Sequence, residues 1–495
     1  MDVRGATNVV ATLVLYLSAA ALAPAGVALV YDESPWPFLV AGAGTAAVAW
    51  GLERATRGEH RIGTREGFLI VSATWLVAAG FGALPYLLSG ESQLARPLDA
   101  YFEGMSGFTT TGATVVTDIE SLSRSLLFWR QLTQWLGGMG IIVLALAVLP
   151  RLRVGGRQLM DLELAGPEVD TLDTRIRDTA RRLWLLYVAL TVALAGLLVT
   201  FAALGVDAEL DLYDAVAHAL TTVPTGGFST HGESIGAFAP ATQWVIVLFM
   251  VLGGANFALL YRALVRRRPA ALARDEEFRL YAALLGLGSL VLFAELALGD
   301  VLPAGEALRH AVFQGVSIMT ASGFTTTDYG AWPVLATMTI VGLMFIGGSA
   351  GSTSGSVKTI RHLLLGKILR REIDQTVHPE LVIPIRLNRK VVDERTLRAV
   401  ASFILLYIGI FIVGSLLLAL DASRSGLDFD VLDAVATSAA ALGNVGPALG
   451  VAGPTGSYAP FSDVSTGIVV GLMWLGRLEV IPIIVLLSRH YWRSV

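Results

Sequence analysis

The chain has 495 residues, 54% of them hydrophobic and only 15% charged, with a formal net charge of -4 and a mean hydropathy of +0.65. Soluble domains carry about a quarter charged residues, so these figures exclude an ordinary soluble protein and point to a polytopic membrane protein. The complete lack of cysteine excludes disulfides, thiolate metal sites and cysteine nucleophiles.

In chain order, apolar stretches able to cross a hydrocarbon core of roughly 30 Å are predicted near residues 9–30, 37–53, 67–89, 128–149, 183–204, 242–264, 279–299, 331–357, 397–420 and 464–488. The first is too long for the apolar region of a cleavable signal and reads as a first transmembrane helix. An even number of spans puts both termini on one side. One set of linkers holds Arg54, Arg57, Arg61 and Arg65, then Arg151, Arg153 and Arg157, then Arg266, Arg267 and Arg268, then Lys367, Arg370 and Arg371. The alternate set holds Asp99, Asp207, Glu209, Asp211, Asp214, Asp300, Glu306, Asp428 and Asp430. The positive-inside rule makes the arginine-rich side, and with it both termini, cytoplasmic. Beyond setting this orientation, the charged linkers read as solvated faces.

From the third span onward, each acidic-side linker contains a segment too short to span: DAYFEGMSGFTTTG (99–112), DAVAHALTTVPTGG (214–227), HAVFQGVSIMTASG (310–323) and DAVATSAAALGNVG (433–446). They align without a gap, begin on a polar residue, end on glycine and recur at intervals of roughly a hundred residues, the mark of internal repetition. The expected fold is therefore all-α: two leading transmembrane helices, then four helix–pore-helix–filter–helix repeats in pseudo-fourfold arrangement around one pore. The units run 1–66 for the leading pair, then 67–150, 151–268, 269–371 and 372–495 for the repeats.

A half-helix followed by irregular backbone cannot face lipid, because its free N–H and C=O groups would be unsatisfied; it belongs in a protein interior or around an aqueous cavity. Asp99, Asp214 and Asp433 stand where helix N-caps are expected, with His310 at that position in the third repeat. The partly negative C-terminal ends then point at the axis, favouring a cation there. The strands that follow are Thr110-Thr111-Gly112, Thr225-Gly226-Gly227, Ala321-Ser322-Gly323 and Asn444-Val445-Gly446. Their small side chains let backbone carbonyls replace an ion's hydration shell. None carries a carboxylate, which suits a monovalent rather than a divalent cation. The bland alternative is that these glycines merely end helices.

The stretches FEGMSGFTTTGATV (102–115), WRQLTQWLGGMGIIVL (129–144), TGGFST (225–230), FIGGSAGSTSGSVKTIR (345–361), LGNVGP (442–447) and GRLEV (476–480) resemble the signature segments of the Trk/Ktr/HKT superfamily of potassium transporters. The leading helix pair and the length are similar to its prokaryotic Trk membrane subunits. The resemblance implies potassium uptake through one pore per subunit, with Gly112, Gly227, Gly323 and Gly446 as selectivity glycines. Pro224 is less usual for the family and bears on the rigidity of the second strand.

The ten small residues Gly347, Gly348, Ser349, Ala350, Gly351, Ser352, Thr353, Ser354, Gly355 and Ser356 cannot hold a lipid-facing helix. The resemblance makes them an intramembrane gating loop beneath the filter; close helix packing is the alternative. They do not satisfy G-x-x-x-x-G-K-[ST]. Arg477 lies mid-span, where an ionisable residue marks function; the resemblance implies that it faces the pore near the gating loop, and a buried structural ion pair is the alternative. Lys358 and Arg361 read as ordinary cytoplasmic-end charges, Glu103 as a buried hydrogen-bonding anchor, and Glu479 as a residue that pairs elsewhere.

Two functional readings follow: a channel-like potassium conductor, and a cation-coupled symporter or less selective potassium/sodium conductor. No catalytic cluster points to an enzyme. The chain is expected to bind no cofactor of its own, to sit in the cell membrane, and to contact no nucleic acid. By resemblance it forms a homodimer and takes nucleotide control from a separate cytosolic ring subunit.

Overall fold

The computed structural model describes residues 1–60, 62–147 and 176–492; Arg61, Arg151, Arg153 and Arg157 lie outside them. The chain is almost wholly helical, with one two-residue hairpin pairing Arg386–Leu387 with Lys390–Val391. A leading pair is built from Val3–Ser18, continued by Leu22–Val30, and from Trp36–Ala55. These helices pack on each other and on Thr64–Ser89, the outer helix of the first repeat.

Each repeat then has an outer helix, a short pore helix, an extended strand and an inner helix. The outer helices are Thr64–Ser89, Ile176–Ala203, Glu276–Leu298 and Glu394–Ser425. The pore helices are Pro97–Phe108, Leu212–Thr222, Ala304–Met319 and Val431–Leu442, and their C-terminal halves are buried. In the first repeat Gly104 lies so close to the outer helix that an added Cβ would stand 2.5 Å from Ala79 O. Small residues permit such approach where lipid supplies no hydrophobic drive between helices.

The inner helices depart from the uniform spans expected. Only Arg124–Ala147 runs unbroken through the described residues. In the second repeat Pro240–Gly253 and Phe257–Val265 meet at a bend of 106°. In the third, Val334–Leu343 stops and the chain resumes helix at Thr359–Val377. In the fourth, Asp463–Arg477 ends at Glu479 and Val480, both left-handed (φ 55 and 63), before Ile481–Leu487. Among the described residues five helices are long and apolar enough to cross a bilayer alone, and the bent pair makes a sixth. Of the remaining expected spans, Trp36–Ala55 and Arg124–Ala147 are continuous but less apolar, and those of the third and fourth repeats are broken where glycine and polar residues face protein rather than lipid.

The acidic caps also lie elsewhere than expected. The N-caps are Asp211 and Asp430, which accept from Asp214 N and Asp433 N at 2.7 Å each. Asp214 and Asp433 sit one turn further in, and Asp99 stands within the first turn of a helix beginning at Pro97. The third pore helix begins six residues before His310. Asp207 is not a solvated charge: it is buried and accepts from Ala239 N (2.8 Å) and Thr242 Oγ1 (2.6 Å), joining the second repeat's outer and inner helices.

Candidate functional site: a four-strand ring above a glycine-rich loop

The four pore helices end alike. The amides of Thr111, Gly226, Ser322 and Val445 donate to Ser106 O, Thr221 O, Ser317 O and Ala440 O at 2.8–2.9 Å. The residues before them, Thr110, Thr225, Ala321 and Asn444, all adopt φ 53–54. This is the Schellman termination, whose left-handed position usually holds glycine. The four aligned glycines lie two residues beyond that cap, with φ of 83, 86, 75 and 99 at Gly112, Gly227, Gly323 and Gly446. They therefore do not end the helices, and the bland reading of them fails.

What the glycines do is close a ring. A Cβ on Gly112 would overlap Gly226 O, one on Gly227 would overlap Ser322 O, and one on Gly323 would overlap Val445 O. A Cβ on Gly446 would stand 2.5 Å from Thr111 O. Each glycine thus abuts the carbonyl of the following strand, and the fourth returns to the first. A second cycle lies outward of it. Arg130 Nη1 donates to Ser229 O (3.3 Å), Ile235 N to Thr325 O (3.0 Å), Tyr329 OH to Pro447 O (3.2 Å), and Tyr458 N to Thr114 O (2.8 Å). Every one of these bonds joins one repeat to the next.

Behind the strands, the residue nine positions before each glycine is polar: Glu103, His218, Gln314 and Thr437. Glu103 accepts from Thr114 Oγ1 (3.0 Å), Val115 N (3.2 Å) and Arg130 Nε (2.7 Å). His218 Nε2 lies 2.9 Å from Ser229 Oγ, and Gln314 Nε2 is 3.4 Å from Thr326 Oγ1. The expectation of an anchor at Glu103 holds, and the aligned segments carried the signal for its equivalents as a polar residue recurring in apolar surroundings. Glu103 and Arg130 are both fully buried. Glu103→Ala strands the guanidinium without its carboxylate, and breaking such a pair costs about 3–5 kcal/mol. A clear fall in the unfolding temperature of the detergent-solubilised protein is expected, with Glu103→Gln intermediate.

The stretch 347–356 lies directly beneath the ring. Thr353 Oγ1 donates to Val223 O (3.0 Å), Ser354 Oγ donates to Thr320 O (2.6 Å), and Gly355 packs against Gly443 O. Val223, Thr320 and Gly443 cap the second, third and fourth pore helices. Gly347, Gly351 and Ser356 take positive φ (75, 67 and 60), so the segment is irregular loop and not a packed helix. Arg477 is buried, donating from Nη1 to Thr353 O (3.0 Å) and from Nη2 to Gly137 O (3.4 Å). It therefore links the loop to the first inner helix.

Sequence reasoning missed the rest of the loop's cradle. Asn256 Nδ2 donates to Ala350 O (2.7 Å), Ser349 N to Gly254 O (2.8 Å), and Ala350 N to Glu277 Oε1 (2.6 Å). Lys358 is no loose cytoplasmic charge: it is buried and donates to Ser354 O at 2.7 Å. Arg361 is likewise buried, paired with Glu479 and stacked 4.0 Å above the Phe403 ring. Apart from Lys358, whose acceptor is four residues away, these partners lie far apart in sequence.

A multi-pass chain whose four re-entrant strands close on one another defines a four-repeat pore protein. The family model for TrkH, described as a cation transport protein, matches residues 40–493. The chain belongs to that family. It is 40% identical over 505 residues to the Trk system potassium uptake protein TrkH of Escherichia coli (strain K12), covering 100% of both chains. It is 37% identical to the TrkG protein of the same strain over 501 residues, covering 99% of each. The crystal structure of the potassium transporter TrkH from Vibrio parahaemolyticus superposes with a TM-score of 0.88 at 35% identity, with 100% of each chain covered. At the family level the chain is a membrane transporter rather than an enzyme.

Proposed function

We propose that this chain takes up potassium across the cell membrane through a channel-like pore. The closed cycle of glycine-to-carbonyl contacts carries the reading. Thr111 O, Gly226 O, Ser322 O and Val445 O each abut a neighbouring strand's glycine, and in this reading their four dipoles replace the hydration shell of a monovalent cation. The backbone of Thr110, Thr225, Ala321 and Asn444 forms the next layer inward, and 347–356 with Arg477 gates the path below. The names of the relatives support potassium as the ion.

Both termini are cytoplasmic, with the exposed Arg266, Arg267 and Arg268 on that face. The chain holds no nucleotide of its own and acts as a homodimer under a separate cytosolic nucleotide-binding ring, to which the basic face offers complementary charge.

Cation flux into proteoliposomes tests the reading. Potassium and rubidium are expected to enter, with sodium and lithium far behind. Sodium passing as readily as potassium sinks the selectivity assignment.

A further inference from the structure

The residue before the glycine is Thr111, Gly226, Ser322 or Val445 in the four strands, so the second strand alone lacks a side chain there. Its backbone does not require glycine. Thr225 and Gly227 on either side have positive φ, whereas Gly226 does not. What excludes a side chain is Gln134. A Cβ on Gly226 would overlap Gln134 Oε1, stand 2.5 Å from its Cδ and lie 3.0 Å from its Cβ.

Gln134 is fully buried on the inner helix of the preceding repeat. Its Nε2 donates to Gly226 O at 2.6 Å, and its Oε1 accepts from Phe228 N at 3.1 Å. One amide thereby brackets Gly227, holding the carbonyl before it and the N–H after it. Among the described residues no side chain donates to Thr111 O, Ser322 O or Val445 O. A carbonyl oxygen has two lone pairs, so Gly226 O can accept this bond and still face a cation. Without it, two successive glycines carry the greatest backbone freedom of any residue, and the carbonyl can swing inward around a smaller ion.

We propose that Gln134 is a specificity-determining residue: it supplies from the first repeat the side chain that Gly226 lacks, and fixes that carbonyl at the spacing a potassium ion requires. The inference rests on the filter reading given above.

Full-length variants in proteoliposomes, read as the potassium-to-sodium permeability ratio, test it. Gln134→Leu is expected to lower the ratio about fivefold, the scale set by one intramolecular hydrogen bond, while potassium flux persists. Gly226→Ser alone overlaps Gln134 and lowers the ratio too. The pair Gln134→Ala/Gly226→Ser gives the strand its own side chain, as Ser322 has, in the space vacated, and is expected to recover most of the native ratio. Relief of the overlap alone lifts the pair above Gly226→Ser, so the deciding comparison is with Gln134→Ala alone: only a glutamine that stands in for the missing side chain predicts that adding Gly226→Ser raises the ratio. Gln131→Leu, a buried glutamine on the same helix with no hydrogen-bond partner among the described residues, is expected to leave the ratio unchanged. A native ratio in Gln134→Leu, or a double variant no better than Gln134→Ala alone, overturns the proposal. If Gly112→Ser lowers the ratio while Gln134→Leu does not, this inference alone fails. If neither lowers it, the filter reading falls as well.

Discussion

Gly112→Ser is expected to cut the potassium-to-sodium permeability ratio by about tenfold or more. Two costs combine at this position. Its φ of 83 is a conformation that an L residue adopts at a penalty, and the new Cβ overlaps Gly226 O. The left-handed penalty alone is roughly 1–2 kcal/mol, and 1.4 kcal/mol is a factor of ten in an equilibrium. The strand relieves both by turning, which shifts the neighbouring carbonyl out of the ring. Because the overlap falls on the second strand, the effect reaches beyond the substituted residue, and an equivalent loss is expected for Gly227→Ser through Ser322 O. Reversal potentials in bilayers or competing fluxes in liposomes read the ratio directly. A native ratio in a monodisperse Gly112→Ser protein counts decisively against ion coordination at this ring.

Arg477→Ala is expected to raise potassium flux by an order of magnitude or more. Its guanidinium holds Thr353 O and Gly137 O together, one on the loop and one on the first inner helix. A hydrogen bond to a charged group is worth about 1.5–3 kcal/mol, so removing both frees the loop from the inner helix, which the proposed gating role reads as release. Deleting residues 350–353 removes the contacts to Val223 O, Gly253 O and Asn256 together and is expected to exceed the point variant. Rubidium uptake measures both. Unchanged flux in the deletion leaves the loop as packing and removes its gating role.

The repeats were legible because a half-helix at membrane depth must end in small residues, and FTTTG, PTGG, TASG and GNVG recur in one frame. Charge alternation and hydropathy supplied the outer helices for the same reason: lipid constrains them one residue at a time. The breaks in the inner helices were less legible. Gly254 and Asn256 occupy two positions in an otherwise apolar run, and Glu479 and Val480 look like ordinary helix. Their left-handed or bent backbone is held by partners more than ninety residues away, such as Ala350 for Asn256 and Arg361 for Glu479. Lys358 was misjudged for a different reason: its acceptors, Ser352 O and Ser354 O, are close in sequence, but the loop that turns them back onto the ammonium has no periodicity to read.

The ring's contacts run in one rotational sense, each repeat leaning on its successor, and all four quadrants are encoded in one polypeptide. In a channel assembled from four identical subunits any substitution appears four times at once, so the strands cannot diverge. Here each quadrant is inherited separately. Thr111, Gly226, Ser322 and Val445 could drift apart in size and polarity as long as each still presented a carbonyl to its neighbour's glycine. Under the proposed filter role, a gene of this design adjusts ion preference in single-quadrant increments, altering one strand while three stay fixed, a graded route that a homotetrameric pore does not have.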